Sequence, residues 1–200
     1  MGETPSRILE AADDLFGQLG YDGVSMRDVA RRAGVNKALV FYHFGGKDAL
    51  FARVLHGYYE AHRLALESAL TEELPVDARL HRVIDAYLDF IRENRHYARL
   101  VQRQVVGSEE HRALIEENLG SLFTWTEQAL AEVAPEAGPL AARHFFVTMS
   151  GAVINYFTYG PALARLWGAD PLSDEGIEER RAHLHWMLGS LLGSLAEQAE

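Results

Sequence analysis

Residues 25–50, "SMRDVARRAGVNKALVFYHFGGKDAL", contain both lysines of the chain, Lys37 and Lys47, and three of its glycines. Ser25 followed by Asp28 has the spacing of a capping box, so a helix of about two turns starts there. Val29, Ala30 and Ala33 form its inner face, and Arg27 and Arg31, four apart, its outer face. Asp28 is placed to pair with Arg32. Gly34 fits a tight turn with left-handed backbone. Asn36 caps a second short helix that runs to Phe44, with Val40 and Phe44 inward and Lys37, Ala38, Phe41 and Tyr42 on the open side. Gly45-Gly46 interrupts the chain again, and Lys47 opens the next helix. Two short helices joined by a glycine turn make a helix-turn-helix, whose second helix can enter a major groove about 12 Å wide. Lys37 and Arg27 are long donors for base edges or phosphate. Tyr42 and His43 are shorter donors. At Lys47 the ammonium and the helix N-terminus would hold a phosphate together.

Outside this stretch the chain is helical in pattern, with no sustained period-two alternation. Thr4-Pro5 opens a first helix that carries Ile8, Ala12, Leu15 and Leu19 on one face and stops at Gly20. Long helices follow from Lys47 to about residue 73, over about 76–93 and 95–106, from "SEEH" onward, over 140–158, and from 174 to about 198. Gly160-Pro161 reads as a break and Ser173 as the last cap. The expected fold is all-α, with a three-helix head over 1–46 and a helical bundle over 47–200.

Charge divides the same way. Residues 1–55 carry seven basic and seven acidic side chains, and residues 56–200 carry the whole net charge of −10. Phosphate would respond to the local charge, because salt screens the rest beyond about 8–10 Å. With no cysteine there is no disulfide, thiolate nucleophile or zinc–thiolate site. No apolar run is long enough to span a membrane, and the N-terminus lacks a signal pattern, so a cytoplasmic protein is expected. The nine histidines assemble into no metal or catalytic group by spacing, and no nucleophile elbow or phosphate loop occurs. Neither catalysis, a metal nor a cofactor is expected.

The helix at 140–158 is apolar nearly all round and needs cover on most sides. The last helix has an Ile177–Leu184–Leu188–Leu191–Leu195 stripe and small residues at four-residue spacing. A four-helix homodimer interface is expected from Val147, Gly151, Ile154, Leu184, Leu188, Gly189, Leu191, Gly193 and Leu195.

The "VARRAGV" segment, the "FYHF" run and the "KDAL" opening of the long helix resemble the DNA-binding signature of the TetR family of bacterial transcriptional regulators. The helix before "GYDGVS" fits that family's first helix. The resemblance implies that Ser25 and Arg27 touch the DNA backbone and a base, that Asn36, Lys37 and Ala38 lead the recognition helix, and that Tyr42, His43 and Lys47 hold phosphates. Ala38, Leu39 and Phe41 depart from residues frequent at those positions, and Phe41 lacks the hydroxyl of the tyrosine often found there. The resemblance also implies the dimer and a small-molecule inducer cavity, with candidates Tyr87, Phe90, Arg99, Phe123, His144, Met149 and Asn155. The expected function is a ligand-responsive regulator, of repressor type, on a palindromic operator. The alternative is a helical dimer or small-molecule-binding protein that does not bind DNA.

Overall fold

Side-chain caps and left-handed glycines set the ends of the short helices. The computed structural model describes residues 3–69, 74–105, 109–131 and 133–199, with side chains at all of these but 103–105, 109–111, 114, 115, 117, 118 and 195–199. Among the described residues there are nine helices and no strand: α1 Glu3–Leu19, α2 Met26–Ala33, α3 Lys37–Phe44, α4 Lys47–Ala69, α5 Val76–Glu93, α6 Arg95–Val105, α7 Glu109–Leu130, α8 Ala142–Trp167 and α9 Asp174–Ala199. The Ser25 hydroxyl accepts from the Asp28 N–H at 3.2 Å and the Asp28 carboxylate accepts from the Ser25 N–H at 3.1 Å. This closes the capping box and satisfies two N-terminal donors of α2. Asn36 Oδ1 accepts from the Leu39 N–H at 2.7 Å and starts α3.

Gly34 ends α2 at φ 66°, and the Arg7 guanidinium donates to the Ala33 carbonyl at 2.5 Å, satisfying an acceptor at that end. An L side chain is disfavoured at that φ. Gly34→Ala is expected to cost about 1–2 kcal/mol, read as a lower thermal midpoint with an unchanged circular dichroism spectrum at low temperature.

Two local expectations are corrected. Asp28 pairs with Arg31 at 2.6 Å rather than with Arg32, because the capping box holds its carboxylate on the first turn; Arg32 reaches Asp14 at 2.5 Å instead. Helix α8 does not stop before Gly160-Pro161 but runs to Trp167. Pro161 removes one backbone donor, yet it is exposed, so water can serve the freed carbonyl. The Ala162-Leu163-Ala164 run after it favours helix. The helix ends instead at Gly168, at φ 69°. Two histidines distant in sequence also meet: His81 on α5 and His185 on α9 touch through their Nδ1 atoms. His185 Nε2 lies 2.8 Å from an Asp85 carboxylate oxygen, and Arg181 bridges Asp85 and Asp89 at 2.7 and 2.6 Å. The residues are 104 apart, so spacing along one helix could not reveal the pair.

Packing separates two units, Met1–Ala61 with Asn94–Glu116, and His62–Glu93 with Glu117–Glu200. The boundary between these units falls inside α4, and α6 packs with the first unit. The first core centres on Ile8, Ala12, Phe16, Val29, Val40, Leu50 and Phe51, all fully buried. Tyr58 donates to Asp13 within it. Burial raises the Asp13 carboxyl, the Tyr58 bond opposing, and burial raises the Tyr58 phenol, the Asp13 bond adding to it. The second core joins Leu88 and Ile91 of α5, Val153 and Phe157 of α8, and Ile177, Leu184 and Leu188 of α9.

Candidate nucleic-acid interface

The capped pair α2–α3 and the start of α4 enclose an open concavity of about 480 Å³, lined by Val24, Ser25, Met26, Arg27, Lys37, Phe41 and Lys47. Three of these seven carry cationic groups, and both lysines of the chain are among them. An apolar floor with cations around it suits a polyanion, since charges at the rim act at short range while the floor excludes water.

Each lysine lies against an aromatic ring. Lys37 Nζ is 5.2 Å from the Phe41 centroid, one turn along the same helix. Lys47 Nζ is 4.1 Å from the ring of Tyr21, in the turn after α1. Both are within the range of cation–π attraction. The Tyr21 hydroxyl donates to the Asp48 carboxylate, and its ring packs on Phe16 and Phe51 at centroid distances of 6.2 and 5.1 Å.

Among the expected contacts, Arg27, Lys37, Ala38, Tyr42 and His43 are exposed, Tyr42 by 82%. Lys47 is half-buried. The side chains of Ser25 and Asn36 act as caps, so any contact they make with a polyanion is in addition to that role. The Ser25 side chain, then its backbone N–H, holds the Asp28 carboxyl below its ordinary value. Sequence reasoning did not assign Arg7 as an α2 cap or Tyr21 as a partner of Lys47. The pairing of Lys37 with Phe41 was not assigned either, although their four-residue spacing on one helix is a signal that could have found it. No periodicity links Tyr21 to Lys47.

The other two candidate sets fare differently. Leu184 and Leu188 are fully buried within the chain, because their stripe packs on α5, and they leave no surface for a partner. Leu195 lies outside the residues whose side chains are described. Val147, Gly189 and Gly193 are exposed, and Gly151, Ile154 and Leu191 half-buried. The exposed large apolar side chains of α8 and α9 are Val147, Tyr159, Leu166, Trp167 and Trp186. An open concavity of about 490 Å³ along α8 is lined by Val147, Gly151, Asn155, Tyr159, Trp167 and Arg180 among others. Tyr87 and Phe90 are buried and stack on His62 at 4.6 and 4.8 Å, and Met149 is buried. Phe123 meets Phe146 at 5.7 Å, Arg99 and His144 are exposed, and Asn155 faces the α8 concavity. No helix among the described residues is long and apolar enough to cross a membrane.

Residues 8–54 match the model of the bacterial regulatory proteins of the tetR family. The HTH-type transcriptional repressor Rv3405c of Mycobacterium tuberculosis is 51% identical over 53 residues, covering 26% of this chain and 28% of that protein. The HTH-type transcriptional regulator RutR of Escherichia coli is 25% identical over 177 residues, covering 84% and 80%. The chain spans half or less of the length of several curated relatives it matches. In fold it is similar to a bacterial regulatory protein of the tetR family from Rhodococcus RHA1, with TM-score 0.76, 19% identity and 98% of each chain covered.

Proposed function

Since the chain belongs to the TetR family of bacterial regulatory proteins, we propose that it is a cytoplasmic DNA-binding transcriptional regulator of repressor type. In this reading it acts as a homodimer on a palindromic operator and is released by a small-molecule inducer. The observation that carries the reading is the α2–α3 concavity, which brings Arg27 together with the only two lysines in an otherwise acidic chain. Helix α3 enters the major groove with Lys37 and Ala38 leading. Arg27, Tyr42, His43 and Lys47 hold the flanking phosphates, and Ser25 and Asn36 support both short helices as caps. Phosphate contacts fix register, and the short α3 reads few base edges. A second head one helical turn away, about 34–36 Å, supplies the rest of the site.

The exposed aromatic and aliphatic side chains of α8 and α9 support the homodimer, because patches of that kind mark association surfaces. Val147 and Trp186, exposed by 66% and 67%, are its anchors. An inducer that favours another spacing of the two heads weakens operator binding by linkage, and α4, which starts at Lys47, carries the change.

The test is an electrophoretic shift on DNA upstream of the chain's own gene. Lys37→Ala and Lys47→Ala are each expected to weaken binding by about five- to tenfold, with folding intact, since each removes a charge-assisted contact in both subunits. Equal binding by wild type and both variants would leave the helical dimer without DNA as the better reading.

A further inference from the structure

We propose that Tyr21 is the positioning residue of the head: it presets the Lys47 ammonium for a phosphate. The inference rests on the DNA-binding reading and names a residue outside the DNA-contacting set. Lys47 is flexible in principle, with four rotatable carbons and a compact charge. Here its Nζ is 4.1 Å from the Tyr21 ring centroid. The ring itself is held on two sides, by Phe16, which is fully buried in α1, and by Phe51, which is fully buried in α4. One side of the ammonium meets the ring face, so the remaining N–H groups are left for an anion in the concavity that Lys47 lines. The entropy of fixing the side chain is then spent on folding and not at the moment of binding.

The hydroxyl of the same tyrosine has a second task. Asp48 follows Lys47 in the first turn of α4, where its negative charge would oppose an incoming phosphate. Tyr21 donates to that carboxylate and ties it to the turn after α1. One tyrosine thus holds the Asp48 carboxylate through its hydroxyl and the Lys47 ammonium through its ring. Lys37 has a comparable partner in Phe41, at 5.2 Å, but supplied by its own helix. The Tyr21 partnership instead crosses from one element to another and fixes Lys47 relative to α1.

The test is a double-mutant cycle read as affinity for a mixed-sequence duplex about three helical turns long, at fixed ionic strength. Tyr21→Leu is expected to weaken binding about threefold in the wild-type background. In the Lys47→Ala background its effect is expected to be much smaller, and Tyr21→Phe, which keeps the ring but releases the Asp48 carboxylate, is expected to fall between wild type and Tyr21→Leu. Equal losses from Tyr21→Leu in both backgrounds, or no loss in either, would overturn the positioning role while leaving DNA binding intact. A Lys47→Ala variant that binds like wild type would instead remove the phosphate contact on which the inference rests. Proton NMR of the unmodified protein gives a result that does not depend on the variants folding. With only two lysines present, the Lys47 Cε protons are expected upfield of their random-coil position through the Tyr21 ring current, and a random-coil position would overturn the proposal.

Discussion

Acidification from pH 7 to pH 4.5 is expected to remove about 2–3 kcal/mol of stability through His62 alone. Burial lowers the His62 imidazole from 6.5 to about 4, because the charged ring would sit between the faces of Tyr87 and Phe90 with little solvent. The unfolded chain then binds the proton more tightly than the folded one. The contribution is complete above about pH 6.5 and declines as pH falls toward 4. Urea unfolding followed by tryptophan fluorescence measures the loss. In His62→Leu the decline between the two pH values is expected to be smaller by that amount, since the carboxylates titrate in both proteins. Proton NMR provides a check on the wild type alone: the His62 Cε1 proton is expected to keep its neutral-form shift down to about pH 5. Titration of His62 near 6.5, or an identical acid response in His62→Leu, would contradict the assignment.

Gly17→Ala is expected to cost about 1–3 kcal/mol, although alanine is the better helix former by about 1 kcal/mol. The opposition of these effects makes the sign of the result informative. A Cβ on Gly17 would lie 2.3 Å from Nδ1 and 2.8 Å from Cβ of His96. The latter atom adjoins the backbone of α6, so rotation of the ring does not relieve the clash. The glycine lets α6 approach α1 inside the unit that carries the α2–α3 pair. His96→Gly, which removes that Cβ, is expected to be coupled to Gly17→Ala by about 1 kcal/mol or more. A Gly17→Ala protein more stable than wild type in urea would show that the contact yields without cost.

The short helices were readable because their signals are local. Ser25 with Asp28, Gly34, Asn36 and Gly45 lie within three or four residues of what they cap. The long-range features were not readable. Arg7 caps α2 from 26 residues away, and the His81–His185 contact joins helices far apart in sequence. On α9, Leu184 and Leu188 were read as interface because an apolar stripe looks the same whether it faces α5 or a second copy. Pro161 was read as a break because its missing N–H is local, whereas its exposure, which makes the missing bond tolerable, depends on the fold. Of the residues lining the α2–α3 concavity, Arg27, Lys37 and Lys47 were legible from helical spacing and charge. Tyr21 was hidden by its distance in sequence from the lysine it holds.

The claim that the glycine-punctuated head is built for a polyanion is tested most directly by the salt dependence of duplex binding. With about four phosphates neutralised by each head, the logarithmic slope for a dimer is near −7. In the Lys37→Ala/Lys47→Ala variant, which lacks two cations per head, it is expected to flatten to about −4. A slope unchanged by removing both lysines would mean that the phosphates meet some other surface.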